Sequence, residues 1–155
     1  MTELAADLVT SPTENADSLV LDSDLAAMVR LPEWVDSVAA RHGLPEKTLF
    51  AVRLCLEESV SNSIRHGYGG ASGSQVRICF SGLTEQGWVF AVEDDAPRFN
   101  PLEQPELPAI SPESLAIGGQ GIRLMKAFAT SLAYEETATG NRLRIVFGPA
   151  DTPAP

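Results

Sequence analysis

Val52, Leu56, Val60 and Ile64 recur every four residues, with Leu49 one turn earlier. That spacing places them on a single stripe of an α-helix. Pro45 with Glu46 suits the helix start, and Gly67, followed by Gly69 and Gly70, suits its end. A helix this long with one apolar face must bury that face against another layer, which restricts the chain to a few layered architectures.

The rest of the chain supplies the second layer. Gln75 to Phe80 alternates, with Val76, Ile78 and Phe80 on one face, and Gly87 to Val92 reads as a second strand. Ser81 to Gln86 is the hairpin-like link between them. Ser18 to Leu21 reads as a first strand ended by Asp22-Ser23-Asp24. Leu31-Pro32-Glu33 opens a helix through Trp34, Val35, Val38 and Ala39 that stops at Gly43. Pro101 to Pro112 holds four prolines and few apolar residues, and is expected to be a mobile loop without an element of its own. Gly118 to Ala129 begins glycine-rich and becomes helical. Ser131 to Glu135 and Arg142 to Phe147 pair as strands around the turn Thr139-Gly140-Asn141. Short links between consecutive strands predict antiparallel pairing. The expected fold is a two-layer α/β sandwich: a mixed, mostly antiparallel sheet with the helices on one face.

A length of 155 residues suits one domain. Residues 18–148 are expected to form it, with a flexible segment at 1–17 and a flexible tail at 149–155. The 21 acidic and 11 basic residues give a net charge of −10. Nucleic acid and anionic membranes both reward a basic face, so neither is expected as the main partner. Cys55 and Cys79 make neither a disulfide framework nor a zinc ligand set, and are expected as reduced core residues of a cytoplasmic protein. No apolar run approaches ~18 residues, so no transmembrane helix is expected. The acidic first residues lack the basic stretch of a signal peptide.

Three segments carry chemistry. In Glu58-Ser-Val-Ser-Asn62-Ser-Ile-Arg-His66-Gly67, residues four apart share a helix face. Asn62 lies about 200° round from Val60, so Glu58, Asn62 and His66 form a polar stripe roughly opposite the buried one. An asparagine amide oxygen can hold Mg²⁺, and a carboxylate one turn away can take a proton from an attacking hydroxyl. Second, Val92-Glu93-Asp94-Asp95-Ala96-Pro97-Arg98-Phe99-Asn100-Pro101 runs an apolar strand into an acidic, shaped turn. There Asp94 could accept a hydrogen bond from an exocyclic amine such as that of adenine. Third, Ile117-Gly118-Gly119-Gln120-Gly121-Ile122 opens a helix with glycines whose N–H groups can approach an anion closely. It has no Walker lysine and does not follow a strand as a dinucleotide fingerprint does. Taken singly, the segments also read as a solvated helix face, an acidic strand end and a plain loop; their order is what points to one site.

In that order they resemble the histidine-kinase-like ATPase superfamily, which includes sensor kinases and gyrase. Within it they are most similar to the short, stand-alone anti-sigma-factor serine kinases of bacteria. Glu58 to Gly67 matches the N box, Asp94 to Pro101 the first glycine box and Gly118 to Met125 the second, and the likeness covers about residues 18–147. The resemblance implies the Bergerat ATP-binding fold, ATP and Mg²⁺ as cofactors, and these roles: Asn62 coordinating Mg²⁺, Glu58 as general base for a serine hydroxyl, Asp94 reading the adenine amine, and Gly119 and Gly121 contacting phosphates. His66, Gly67, Ala96, Phe99, Gly118 and Ile122 complete the implied nucleotide site, and residues 101–118 are the implied lid. It further implies a homodimer that holds a sigma factor and phosphorylates a STAS-domain anti-anti-sigma factor.

One departure concerns the site directly. The family usually has glycine where this chain has Ala96, so nucleotide binding weakens if that position needs positive φ or very close backbone approach. Arg98 also stands where proline is common. Arg65, Arg98, Arg123 and Lys126 are all candidates for a phosphate contact. Two rival functions share the same motifs: a nucleotide-gated binding switch that transfers no phosphate, and a kinase whose partners do not include a sigma factor.

Overall fold

The computed structural model describes residues 17–69, 73–103 and 121–148. Strand β1, Ser18–Asp22, leads through a 3₁₀ turn, Leu25–Val29, into helix α1, Arg30–His42. Helix α2, Glu46–Asn62, continues as a π-helical turn, Ser63–Gly67. Strands β2, Gln75–Thr84, and β3, Gly87–Asp94, come next. A 3₁₀ turn at Pro101–Glu103 precedes α3, Gly121–Phe128, and strands β4, Ser131–Glu136, and β5, Asn141–Phe147, close the order. The sheet runs β1-β2-β3-β5-β4. Every pairing among the described residues is antiparallel, so the parallel component of the expected mixed sheet is not found there.

The two faces of the sheet differ as the alternation requires. Inward residues Leu21, Ile78, Phe90, Val92, Leu143 and Ile145 share one buried cluster with the helices. From the helix side come Leu31, Trp34, Val35 and Val38 of α1 and the stripe Val52, Leu56, Val60 and Ile64, whose members are 0–1% exposed. Burying each such side chain stabilises the fold by about 1.5–3 kcal/mol, which fixes α2 on the sheet. The Trp34 ring meets Phe90 edge-on at 6.3 Å. On the outer face a cross-strand ion-pair row takes over: Arg77–Glu93 at 3.6 Å, Glu93–Arg142 at 2.6 Å and Arg142–Glu135 at 2.9 Å. Cys55 lies in the core and Cys79 on β2's outward positions, and both are free thiols. Among the described residues no helix is long and apolar enough to cross a membrane.

Helix α1 ends at Gly43, whose left-handed φ of 76° lets its N–H reach back to the Ala39 carbonyl. Strand β2 runs beyond Phe80, where the sequence placed a link, because a bulge between Phe80 and Gly82 re-registers it and carries pairing on to Thr84. The turn is thereby cut to Glu85 and Gln86. Asp24 caps the 3₁₀ turn by accepting from Ala26 N–H, a short element absent from the sequence reading. The Pro101–Glu103 turn likewise falls in a stretch expected to hold no element; Asn100 Oδ1 nucleates it by accepting from Leu102 N–H at 2.8 Å. The expected mobile loop past Glu103, the flexible segment at 1–16 and the tail at 149–155 lie outside the described residues.

Candidate functional site

A cleft opens between the C-terminal end of α2, the end of β3 and the start of β5. Val92, Met125 and Leu143 give it an apolar floor; Ser59, Asn62 and Ser63 form one wall; Asp94, Asn141, Phe99 and Tyr134 form the other.

Asp94 is the buried charge of this cleft, 6% exposed at the last position of β3. A carboxylate taken out of water needs donors, and the fold supplies two to one oxygen. Asn141 Nδ2 donates to Asp94 Oδ1 at 2.8 Å and Ala96 N–H donates to the same oxygen at 3.1 Å. No donor among the described residues reaches Oδ2, which lies 3.7 Å from where a Cβ on Gly67 would stand. Asp94 therefore presents one committed oxygen and one open acceptor beside Gly67.

Asn141 holds the arrangement. It starts β5 directly opposite Asp94. Its Nδ2 also donates to the carbonyls of Ala96 and Pro97, both at 3.2 Å. Its Oδ1 accepts from Phe99 N–H at 2.9 Å and from the Tyr134 hydroxyl. One amide thus ties the strand end, the turn after it and the neighbouring strand together. Gly140 permits the approach, since a Cβ there would lie 2.1 Å from the Asp94 carbonyl oxygen and 2.6 Å from Asp95 Cα.

The adjacent acid points elsewhere. Arg77 grips Asp95 with two hydrogen bonds, at 3.0 and 3.2 Å, and Thr139 Oγ1 donates to it at 2.9 Å. The Arg77 guanidinium holds the Asp95 carboxyl below its usual range. Asp95 N–H donates to the Tyr68 hydroxyl, which in turn donates to the Gln75 carbonyl.

Ala96 is not strained. No residue other than glycine has positive φ among the described residues, and Ala96 is buried with its Cβ 3.1 Å from where a Cβ on Gly67 would stand. The methyl occupies space that Gly67 leaves, and positive φ does not count against alanine here.

On α2 the expected stripe divides. Asn62 is half-buried in the cleft wall, and its amide has no partner among the described residues. Glu58 is half-buried too, but lies against the first residue of α3: a Cβ on Gly121 would stand 2.3 Å from Glu58 Oε1. Cys55, one turn earlier, is fully buried, and burial with the nearby Glu58 charge pushes its thiol up to about 12. Glu58 and Asn62 therefore border the buried arc of the helix and do not stand opposite it, because α3 packs along this side as well. His66 is exposed and does not line the cleft. The π turn is the reason: Tyr68 N–H bonds back to Ser63, five residues away, and the wider turn rotates His66 off the line of Glu58 and Asn62.

Phe99 lines the cleft, and Ile122 packs half-buried against the core. Gly118, Gly119 and most of the expected lid lie outside the described residues. Arg98 is bonded to Glu136 at 3.1 Å and sits 5.9 Å above the Tyr134 ring, so it is engaged at the Tyr134 side of the cleft. Arg65 and Lys126 are exposed, with no ionic partner among the described residues. Sequence reasoning missed Asn141, taken as a turn residue, together with Tyr134, Ser59, Ser63 and Met125. The signal for Asn141 was its place at the head of a strand, but its role depends on the β3–β5 register.

A family model described as the histidine kinase-like ATPase domain matches residues 21–147. The serine/threonine-protein kinase BtrW of Bordetella bronchiseptica is 22% identical over 134 residues, which cover 86% of this chain and 94% of that protein.

Proposed function

The chain belongs to the histidine kinase-like ATPase family, and on that premise we propose that it binds ATP with Mg²⁺ and acts as a protein serine/threonine kinase. The observation that carries the reading is the open Oδ2 of Asp94. A buried carboxylate with one oxygen saturated by Asn141 and Ala96 and the other free beside Gly67 is an acceptor set for an amine donor such as the exocyclic amine of adenine. The apolar floor of Val92, Met125 and Leu143 suits a flat base.

The remaining groups fit transfer chemistry. Asn62 offers an uncommitted amide oxygen in the cleft wall, the kind of hard ligand Mg²⁺ takes alongside phosphate oxygens and water. The metal, when bound, neutralises charge on the phosphates. No donor among the described residues occupies the Glu58 carboxylate, which leaves it free to accept the proton of a serine hydroxyl. Phosphoryl transfer depends mainly on positioning and charge stabilisation, so this set suffices. The kinase name of a relative that spans nearly the same length supports transfer over binding alone. The absence of positive φ at Ala96 meets one of the two grounds for a nucleotide switch without transfer.

The partners follow from the resemblance of the N box and glycine boxes. The protein holds a sigma factor as a homodimer, phosphorylates a serine of a STAS-domain anti-anti-sigma factor, and acts in the cytoplasm. Calorimetry with ATP and Mg²⁺ tests the base of this reading, followed by phosphate transfer to a STAS-domain substrate. Asp94→Ala should weaken ATP by about 10- to 150-fold, the worth of a hydrogen bond to a charged group. Asn62→Ala should remove the Mg²⁺ dependence. ATP binding that survives Asp94→Ala undiminished would sink the assignment.

A further inference from the structure

The Glu58 carboxylate has no hydrogen-bonding partner among the described residues, although the Glu58 backbone carbonyl accepts from Ser61 Oγ at 3.2 Å, and a general base has to be held. Its neighbour supplies the restraint by lacking a side chain. A Cβ on Gly121 would stand 2.3 Å from Glu58 Oε1, 3.2 Å from its Cδ and 3.5 Å from its Cβ. The Glu58 side chain therefore lies flat across the bare Cα of the first residue of α3, from its root to its carboxylate. We infer that Gly121 is a positioning residue for the base: its missing side chain forms the slot that sets where the Glu58 carboxylate sits.

This rests on Glu58 being the base, and it is separable from a phosphate-binding role for Gly121. Alanine keeps the backbone N–H that would meet a phosphate and adds only the methyl. That methyl meets the far end of a flexible side chain, so the carboxylate swings away and the fold survives. To reach ordinary contact it must move by about 1 Å, and a displacement of that size costs a positioned group on the order of 100-fold in rate.

The test is a pair of cycles on the full chain. In phosphate transfer to a STAS-domain substrate at saturating ATP, Gly121→Ala should lower the rate about 100-fold. In the Glu58→Gln background, which has no base to misplace, the same change should lower the residual rate far less. In thermal unfolding, Gly121→Ala should raise the Tm when Glu58 is replaced by alanine, because alanine favours a helix and the slot is then empty. It should fail to raise it when Glu58 is present. Equal rate losses in both backgrounds would show that Gly121 acts without Glu58. Equal Tm shifts in both backgrounds would overturn the contact itself, whatever reaction the protein performs. A Glu58→Gln variant with native transfer rates would instead refute the base assignment and leave the packing contact standing.

Discussion

Replacing Asn141 with alanine removes a single buried amide that serves five partners. The bond from Nδ2 to the Asp94 carboxylate is charge-assisted, worth about 1.5–3 kcal/mol. Phe99 N–H and the Tyr134 hydroxyl lose their acceptor at partly buried positions, at about 1 kcal/mol each. The sum is about 4 kcal/mol, a large part of a typical domain stability of about 5–15 kcal/mol. For a chain of this size it corresponds to a fall in Tm of roughly 8–16 °C. Urea unfolding followed by tryptophan fluorescence measures it, with the m-value expected to stay constant because the same surface is exposed on unfolding. ATP affinity should fall in the same variant, since Asp94 loses the donor that fixes its orientation. A loss below about 1 kcal/mol at unchanged m would mean that water replaces the amide freely, and that Asn141 does not organise the cleft.

Two further outcomes follow from charge and burial. Burial with the neighbouring Glu58 holds the Cys55 thiol up at about 12, and burial also raises Cys79; native protein treated with iodoacetamide should label Cys79 first and Cys55 only on unfolding, and mass spectrometry showing equal labelling would contradict the packing. Asp95 is held below its ordinary value by Arg77, so its contribution is present above the unfolded-state value of about 3.9 and is lost as pH falls through the folded value. Because the Asp95 side chain is 48% exposed, Asp95→Asn should cost under ~1 kcal/mol near neutral pH, and the two stability curves should converge as the pH falls below about 3.9; a gap that stays constant would rule out the linkage.

The sequence made the helix layer and the strand faces legible because both rest on local periodicity. Val52, Leu56, Val60 and Ile64 announce α2, and Val76, Ile78 and Phe80 announce the inner face of β2. The bulge at Phe80–Gly82 was not legible, since a bulge shifts register without disturbing local composition. In the site, Asp94 could be singled out as an acid ending an apolar strand, but its partner could not. Asn141 lies 47 residues away, and only the β3–β5 register brings the two together. Gly140 reads as a turn glycine in the sequence, whereas the structure gives it a second duty, making room for the Asp94 backbone. The division of Asp94 and Asp95, one turned into the cleft and one out to Arg77, likewise depends on where β3 ends and on a basic residue contributed by β2.

The β3–β5 register also bears on synthesis. Asp94 and the α2 wall leave the ribosome well before β5, yet Asp94 receives its Asn141 hydrogen bond only when β5 inserts between β3 and β4. A nascent or truncated chain that stops short of β5 carries the N box and the first glycine box but leaves the carboxylate unsteadied. On the proposed function, recognition through Asp94 is thus coupled to completion of the sheet. A ligand that binds only the finished form favours that form by mass action, so on that reading an incomplete chain draws no such stabilisation from the ligand pool.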